Sequence, residues 1–426
     1  MTRASPWRAP GAPPHARARA HDVVTVRTGD DIGAAARRAL ALLGGLPAVL
    51  DGRRVAVLKP NFVAGRPART GATTSLDLIA AVAAAVHAAG ATPLLCESPG
   101  TEFDFETTYT ILGLDEFCRR HDIGIVRGVD QWLELRPAGA RRLKRFRVPA
   151  HVTEACLINL PVLKTHVVSG MSVAMKNLMG LLPREDRRTM HTFGIQQSIV
   201  DLNRGVRPDL SIVDGSVGQD GDGPLYGHAA DLGVLVAGRD SLAVDLTCCR
   251  LVQVDPLSIG HLRLGVAQLG PRQPRLLGDA VVPDVPFALP RVHPLYRFVF
   301  WLMYPLDYPY HRLTGQHLVT ALYNSGLVGT RPQIVKEACT HCGLCVQACP
   351  LPNVIDLTTL RVNPQTCARC LLCYEACPEG AIVVKGMSGA IDRPVPTGPL
   401  ALTGHAAGRV DAQAGGGAQT PPGGER

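Results

Sequence analysis

Short apolar runs alternate with amphipathic stretches over the first two thirds of the chain. "VAVLKPN" (Val55 to Asn61) reads as a strand ending in a turn. "SLDLIAAVAAAVHAAG" (Ser75 to Gly90) has helical periodicity, with Ser75 as its N-cap and Gly90 as its stop. "TPLLCE", "GIVR", "ACLINLPVL", "LSIVDG" and "LGVLVAG" repeat the strand pattern. Further helices are predicted over Leu114 to His121, Met171 to Met179, Gly194 to Asn203 and Asp240 to Val252. Continuous apolar strands between helices imply an α/β fold, a mostly parallel sheet with helices on both faces.

In such folds ligands gather at the carboxyl ends of strands. That rule brings together Lys59 and Asn61, Glu97, Lys164 and His166, Asp214, and Arg239 with Asp240. The stretch "NLPVLKTHVVSGMSVAMKNLMGLLP" (Asn159 to Pro183) starts as a strand and continues as a helix, yet carries Lys164, His166, Lys176 and Asn177 where apolar residues would fit. Three lysines near one mouth favour an anion, and a histidine moves protons near neutral pH. Singly, a lysine at a strand end is a solvated side chain and a lone histidine a structural one. Met171, Met175 and Met179 lie at helical spacing and read as a core stripe. The repeated Lys-x-Asn and Lys-x-His pattern is what singles the group out. The candidate catalytic residues are Lys164, His166, Lys176 and His191, and the candidate substrate-binding residues are Lys59, Asn61, Asn177, Asp214 and Asp240.

"DGSVGQDGDGPLYG" (Asp214 to Gly227) reads as a flexible loop, either a Gly-rich lid or a divalent-cation site on Asp214, Asp220 and Asp222. No EF-hand, phosphate-binding, dinucleotide or nucleophile-elbow motif is present, and nothing points to nucleic acid.

The thirteen cysteines change the picture. Eight fall in "CTHCGLCVQACP" and "CARCLLCYEACP", each a Cys-x2-Cys-x2-Cys-x3-Cys-Pro run. This is the spacing of a two-cluster ferredoxin, in which the fourth cysteine of each run ligates the other cluster. Two [4Fe–4S] clusters are therefore expected, one on Cys339, Cys342, Cys345 and Cys377, the other on Cys367, Cys370, Cys373 and Cys349. Zinc sites pair Cys-x2-Cys units differently, and disulfide frameworks suit small secreted domains. The α/β domain is thus followed by a small α+β two-cluster ferredoxin-like domain. Cys96, Cys118, Cys156, Cys248 and Cys249 lack ligand spacing and read as buried residues.

The chain has 426 residues, 46% hydrophobic and 19% charged, with a formal net charge of +8. That permits an acidic or anionic partner without requiring one. We divide it into a disordered basic arm (1–20), the α/β domain (21–290), an aromatic linker or packing segment (291–335), the ferredoxin domain (336–386) and a disordered tail (387–426). The run "FVFWLMYPL" (Phe298 to Leu306) is too short to span a bilayer and is expected to pack on the protein's own core. With neither a secretory signal nor a transmembrane segment, the expected location is the cytoplasm.

"VLKPN", "INLPVLKTH", "VAMKNLMGLLP", "MHTFGIQQSIVDLN", "LSIVDG", "GDGPLYG" and "GRDSLAVD" follow one another in the order seen in the domain-of-unknown-function family 362, which the chain resembles over Val55 to Gly270 and Lys336 to Lys385. Matching positions are Lys59, Pro60, Asn61, Lys164, His166, Lys176, Asn177, His191, Asp201, Asp214, Gly221, Gly223, Asp240 and Asp245. Where members often read Pro-Lys-Leu-Lys this chain reads Pro-Val-Leu-Lys, one basic residue fewer. The resemblance implies the C-terminal cluster module but no activity. Two functions fit. One is an iron–sulfur oxidoreductase acting on an anionic small molecule in the α/β domain. The alternative is an electron-transfer or docking protein that relays electrons to a partner enzyme.

Overall fold

A computed structural model describes residues 21–98, 104–127, 129, 131–279, 285–290, 331–364 and 366–385, with scattered positions between 302 and 322. The basic arm, the C-terminal tail and most of the aromatic segment lie outside the described residues. Within that segment Met303 is buried, while Leu302 and Leu306 are exposed.

The large domain is built on strands β1 (Asp22–Arg27), β2 (Val55–Lys59), β3 (Thr92–Leu95), β4 (Gly124–Ile125), β5 (Trp132–Leu135), β6 (Phe146–Pro149), β7 (Cys156–Asn159), β8 (Val162–His166), β9 (Gly170–Ser172), β10 (Leu210–Asp220), β11 (His228–Gly238) and β12 (Arg275–Gly278). All but β5 and β6, which pair with each other, form one ten-stranded sheet. Its order is β12-β1-β11-β10-β7-β2-β3-β4, with β8 and β9 added beside β10. The pairings of β10 with β7, β7 with β2, β2 with β3 and β3 with β4 are parallel; β11 runs antiparallel to both β1 and β10. Side chains alternate between two cores. Val57, Leu157 and Val213 enter one; Ala56, Leu58, Ile158 and Ile212 enter the other. Burial on both faces is why these strands are apolar throughout.

Helix ends follow the local signals. Ser75 caps Leu76–Ala88 by accepting from the Asp77 amide, and Gly90, at φ +76°, ends it. Other helices span Leu114–Arg120, Ile195–Gly205 and Ser241–Leu251. Three expectations need correction. The run "ACLINLPVL" is two strands, because Pro161 has no amide to continue the ladder; β7 stops at Asn159, and β8 joins β10 farther along, with Asp214 opposite Val162. Met171 to Met179 is no continuous helix. Met171 lies in β9, a short helix follows over Ala174–Asn177, and a 3-10 turn over Leu178–Leu181, although all three methionines are buried. The supposed flexible loop at Asp214 to Gly227 is largely hairpin, since β10 continues through Asp220 and returns as β11.

The C-terminal module pairs β13 (Arg331–Ile334) with β16 (Ile382–Lys385) and β14 (Ile355–Asp356) with β15 (Arg361–Val362). Short helices Leu344–Ala348 and Leu372–Glu375 begin after the left-handed residues Gly343 and Leu371 and carry the third cysteine of each run.

Candidate functional site

The carboxyl ends of β2, β3 and β8 do meet. Lys59 Nζ is fully buried and pairs with Glu97, which follows β3; it also donates to the Pro60 carbonyl at 2.8 Å. Burial pushes Lys59 down and Glu97 up, each opposed by the other's charge. Gly180 lets the carboxylate in, because a Cβ there would sit 2.5 Å from both Glu97 oxygens.

Lys164, on β8, donates to Asn61 Oδ1 and to the Ala72 carbonyl. Asn61 Nδ2 donates to Asn177 Oδ1 at 2.8 Å. Asn177 Nδ2 in turn reaches Asn159 Oδ1 at 2.8 Å and the Lys59 and Pro60 carbonyls at 3.2 Å. The strand ends thus form a closed polar network. Burial, and then the neighbouring Lys176 charge, hold the Lys164 ammonium well below its usual range.

Lys176 differs. It is half-buried, and its ammonium makes no hydrogen bond or ion pair among the described residues. Burial, reinforced by Lys59, lowers it to about 8. Arg187, from the helix Arg184–Phe193, adds another buried cation, lowered to about 10 chiefly by burial. Lys59, Lys164 and Arg187 all interact with Glu97, and Lys176 feels both Glu97 and Lys59. Four basic side chains therefore lie within the electrostatic reach of one carboxylate, and Lys59 pairs with it directly.

His166 lies two residues beyond Lys164 on β8. Its Nδ1 accepts the Val168 and Ser169 amides at 3.1 and 3.4 Å, which leaves the proton of the neutral ring on Nε2. Burial, then Lys176, His191, Lys164 and His261, keep it neutral. His191 is lowered to about 4 and His261 to about 3, both chiefly by burial and then by Lys176. His261, in the helix Gly260–Leu269, gave no strand-end signal and was missed; its Nδ1 contacts Gln196 Oε1 at 3.1 Å, and its Nε2 is buried without a hydrogen bond.

Two other candidates stand apart from the cations. Asp214 accepts the Ser75 amide at 2.8 Å and the Ser216 hydroxyl at 2.6 Å, holding the entry of the helix Leu76–Ala88. Asp240 is at the opposite end of the strands, past β11 in the interior of the sheet. Because β11 runs antiparallel, its end at Gly238 lies beside Ser211, the start of β10. There Asp240 caps Ser241–Leu251 and pairs with Arg272 at 2.7 Å. The acids Asp201 and Asp245 serve backbone amides, Asp201 those of Arg141, Arg142 and Leu143, Asp245 those of Ala174 and Met175. Asp220 accepts from the Ala288 amide, and among the described residues no group of His, Cys, Asp or Glu is gathered tightly enough for a single metal ion.

In the module the eight cysteines fall into two separate clefts. Cys339, Cys342, Cys345 and Cys377 line one; Cys349, Cys367, Cys370 and Cys373 line the other. The Arg369 amide points at Cys367 Sγ (3.4 Å) and the Ala381 amide at Cys377 Sγ (3.2 Å), contacts of the kind that tune an iron-bound thiolate. The cysteine-lined cavities fit a cubane better than one ion.

Comparison with known proteins agrees. Residues 56–250 match the domain of unknown function DUF362, and residues 331–378 match a 4Fe-4S dicluster domain. Over 241 residues the chain is 33% identical to the thylakoid-associated protein sll1697 of Synechocystis sp., covering 53% of this chain and 71% of that protein. The chain belongs to the DUF362 family. Its family domain carries the cation cluster, and its dicluster domain binds 4Fe-4S iron–sulfur. No solved structure matches. Among the described residues no helix is long and apolar enough to cross a membrane.

Proposed function

We propose that this protein is an iron–sulfur redox enzyme carrying two [4Fe–4S] clusters and acting on an anionic small molecule held beside Lys176. The observation that carries the anion is Lys176: it lies in the field of Lys59 as well as Glu97, and among the described residues its ammonium makes no hydrogen bond or ion pair. An anion would supply the missing countercharge and raise the Lys176 pKa. Lys59, Asn61, Asn177 and Lys164 fix the floor of this site. His166 presents Nε2–H as a donor, and His191 lies within the same field. Bound clusters would supply single electrons at potentials set by charge and hydrogen bonding. The two separate cysteine-lined cavities support two clusters.

The relative's thylakoid association and the dicluster module also suit the alternative, an electron-transfer protein working at a membrane surface with a partner enzyme. Mass spectrometry of small molecules released from anaerobically purified protein separates the two. The enzyme reading expects an anionic metabolite in the wild type and none in Lys176→Gln. An empty wild-type protein would sink that reading.

A further inference from the structure

The two cysteine runs share a backbone plan but not an environment. His341 and Arg369 hold equivalent places and nearly equal left-handed φ, +56° and +55°; Gly343 and Leu371 match in the same way, at +80° and +62°. Yet Thr340, His341 and Cys342 are exposed, whereas Arg369, Cys370 and Leu371 are buried. The large domain contributes to that cover. Arg66, 8% exposed, donates to Glu375 Oε1 at 2.8 Å, and Arg69 to Glu375 Oε2 at 3.0 Å. Glu375 sits between Cys373 and Cys377.

The loop that carries Arg66 also builds the cation cluster. It leaves at Asn61 and returns at Thr74, whose amide donates to the Asn61 carbonyl at 3.1 Å, while Phe62 pairs with Thr73. Its Ala72 carbonyl receives Lys164. The loop is pinned on both flanks: a Cβ on Gly71 would lie 2.0 Å from the Gly218 carbonyl oxygen, and one on Gly65 would lie 2.7 Å from Ile111. From Asn61 to Arg66 is five residue steps, a span of at most ~18 Å when fully extended.

We propose that the two cluster sites have fixed and different roles. The covered site, Cys349, Cys367, Cys370 and Cys373, is the inner one and is coupled through the Asn61–Thr74 loop to the cation cluster. The exposed Cys342 side is the outer one, where an external one-electron carrier protein would give one electron to the cluster held there, the carrier being oxidised by one and that cluster reduced by one. Arg66 is the positioning residue of the inner site. Its charge favours the added electron and so holds the inner reduction potential up. This rests on the two-cluster reading.

The test is an EPR-monitored redox titration of the full-length, anaerobically reconstituted protein as wild type, Arg66→Gln and Arg66→Lys. In Arg66→Gln with full iron, one cluster should become about tenfold harder to reduce, ~59 mV for a one-electron couple. The other should not move, and Arg66→Lys should restore most of the loss. Two unmoved potentials, or two moved alike, would overturn the proposal. Should Arg66→Gln arrive short of iron, the wild type decides. Oxidant-driven iron release into a chelator should show a fast and a slow phase of equal size, and a single phase rejects unequal sites. A wild type holding only one cluster's iron would instead defeat the two-cluster reading itself.

Discussion

Lys164, from β8, and Asn61, just past the end of β2, are hydrogen-bonded to each other, and the contact continues through Asn177 to Asn159. Two strand ends are thereby tied by side chains where their backbones have already parted. Lys164 is consumed by this network and the Ala72 carbonyl, so it is not a free ligand cation. Lys164→Met should cost about 1–3 kcal/mol for each acceptor it orphans. Lys176→Met, which orphans no acceptor, should leave stability within about 0.5 kcal/mol. Urea unfolding of the two variants measures this; equal losses would contradict the division of labour.

On the proposed reading, anion binding beside Lys176 should depend on pH. Its ammonium is lowered to about 8, so it is charged below that value and neutral above it. An anion prefers the charged form. Affinity should be flat on the acid side and fall about tenfold per pH unit above 8. Lys176→Arg, always charged, should abolish the fall. Calorimetric titration of the recovered anion from pH 6.5 to 9.5 reads it, and a flat wild-type profile would remove Lys176 from the site.

The parts legible in the sequence were those with local chemistry. The cysteine spacing marked the module, Ser75 its helix start, and the strand-end rule brought Lys59, Glu97, Lys164 and His166 together. The rule failed for Asp240, because nothing in "LGVLVAG" distinguishes an antiparallel strand buried on both faces from a parallel one. His261 was invisible for a different reason: it lies on a helix remote in sequence, and only tertiary packing brings its charge environment to Lys176. The break after β7 was signalled by Pro161, but the apolar run on both sides concealed it.

Gly180 is where packing and charge meet. A methyl group there would collide with both Glu97 carboxylate oxygens. Gly180→Ala should push Glu97 off Lys59 and cost about 1–3 kcal/mol. Adding Glu97→Asp, one methylene shorter, should recover part of it. A double-mutant cycle on thermal midpoints gives the coupling; strictly additive losses would mean the collision is relieved elsewhere.

Acid should loosen the histidine side of the site. His261 is lowered to about 3 when folded, against ~6.5 unfolded. Between these values the unfolded chain binds more protons, so stability rises with pH and is lost as pH falls from about 6.5. Each such histidine contributes a slope of about 1.4 kcal/mol per pH unit. His261→Gln should lower the slope of unfolding free energy between pH 4 and 6 by about that amount. An unchanged slope would place the acid sensitivity in other groups.

The cysteine partition makes the last prediction. Cys342 and Cys370 hold equivalent places in their runs but line different cavities. With two four-iron clusters, Cys342→Ala and Cys370→Ala should each reduce iron from about eight to about four atoms per chain. Cys377→Ala should behave as Cys342→Ala, because it crosses to the first cavity, and Cys349→Ala as Cys370→Ala. EPR of the reduced variants supplies the pairing, since variants of one cavity should retain the same single cluster spectrum. Matching spectra for Cys377→Ala and Cys370→Ala would mean that each run closes its own cluster. That result would undo the crossed ligand sets, and with them the assignment of inner and outer sites.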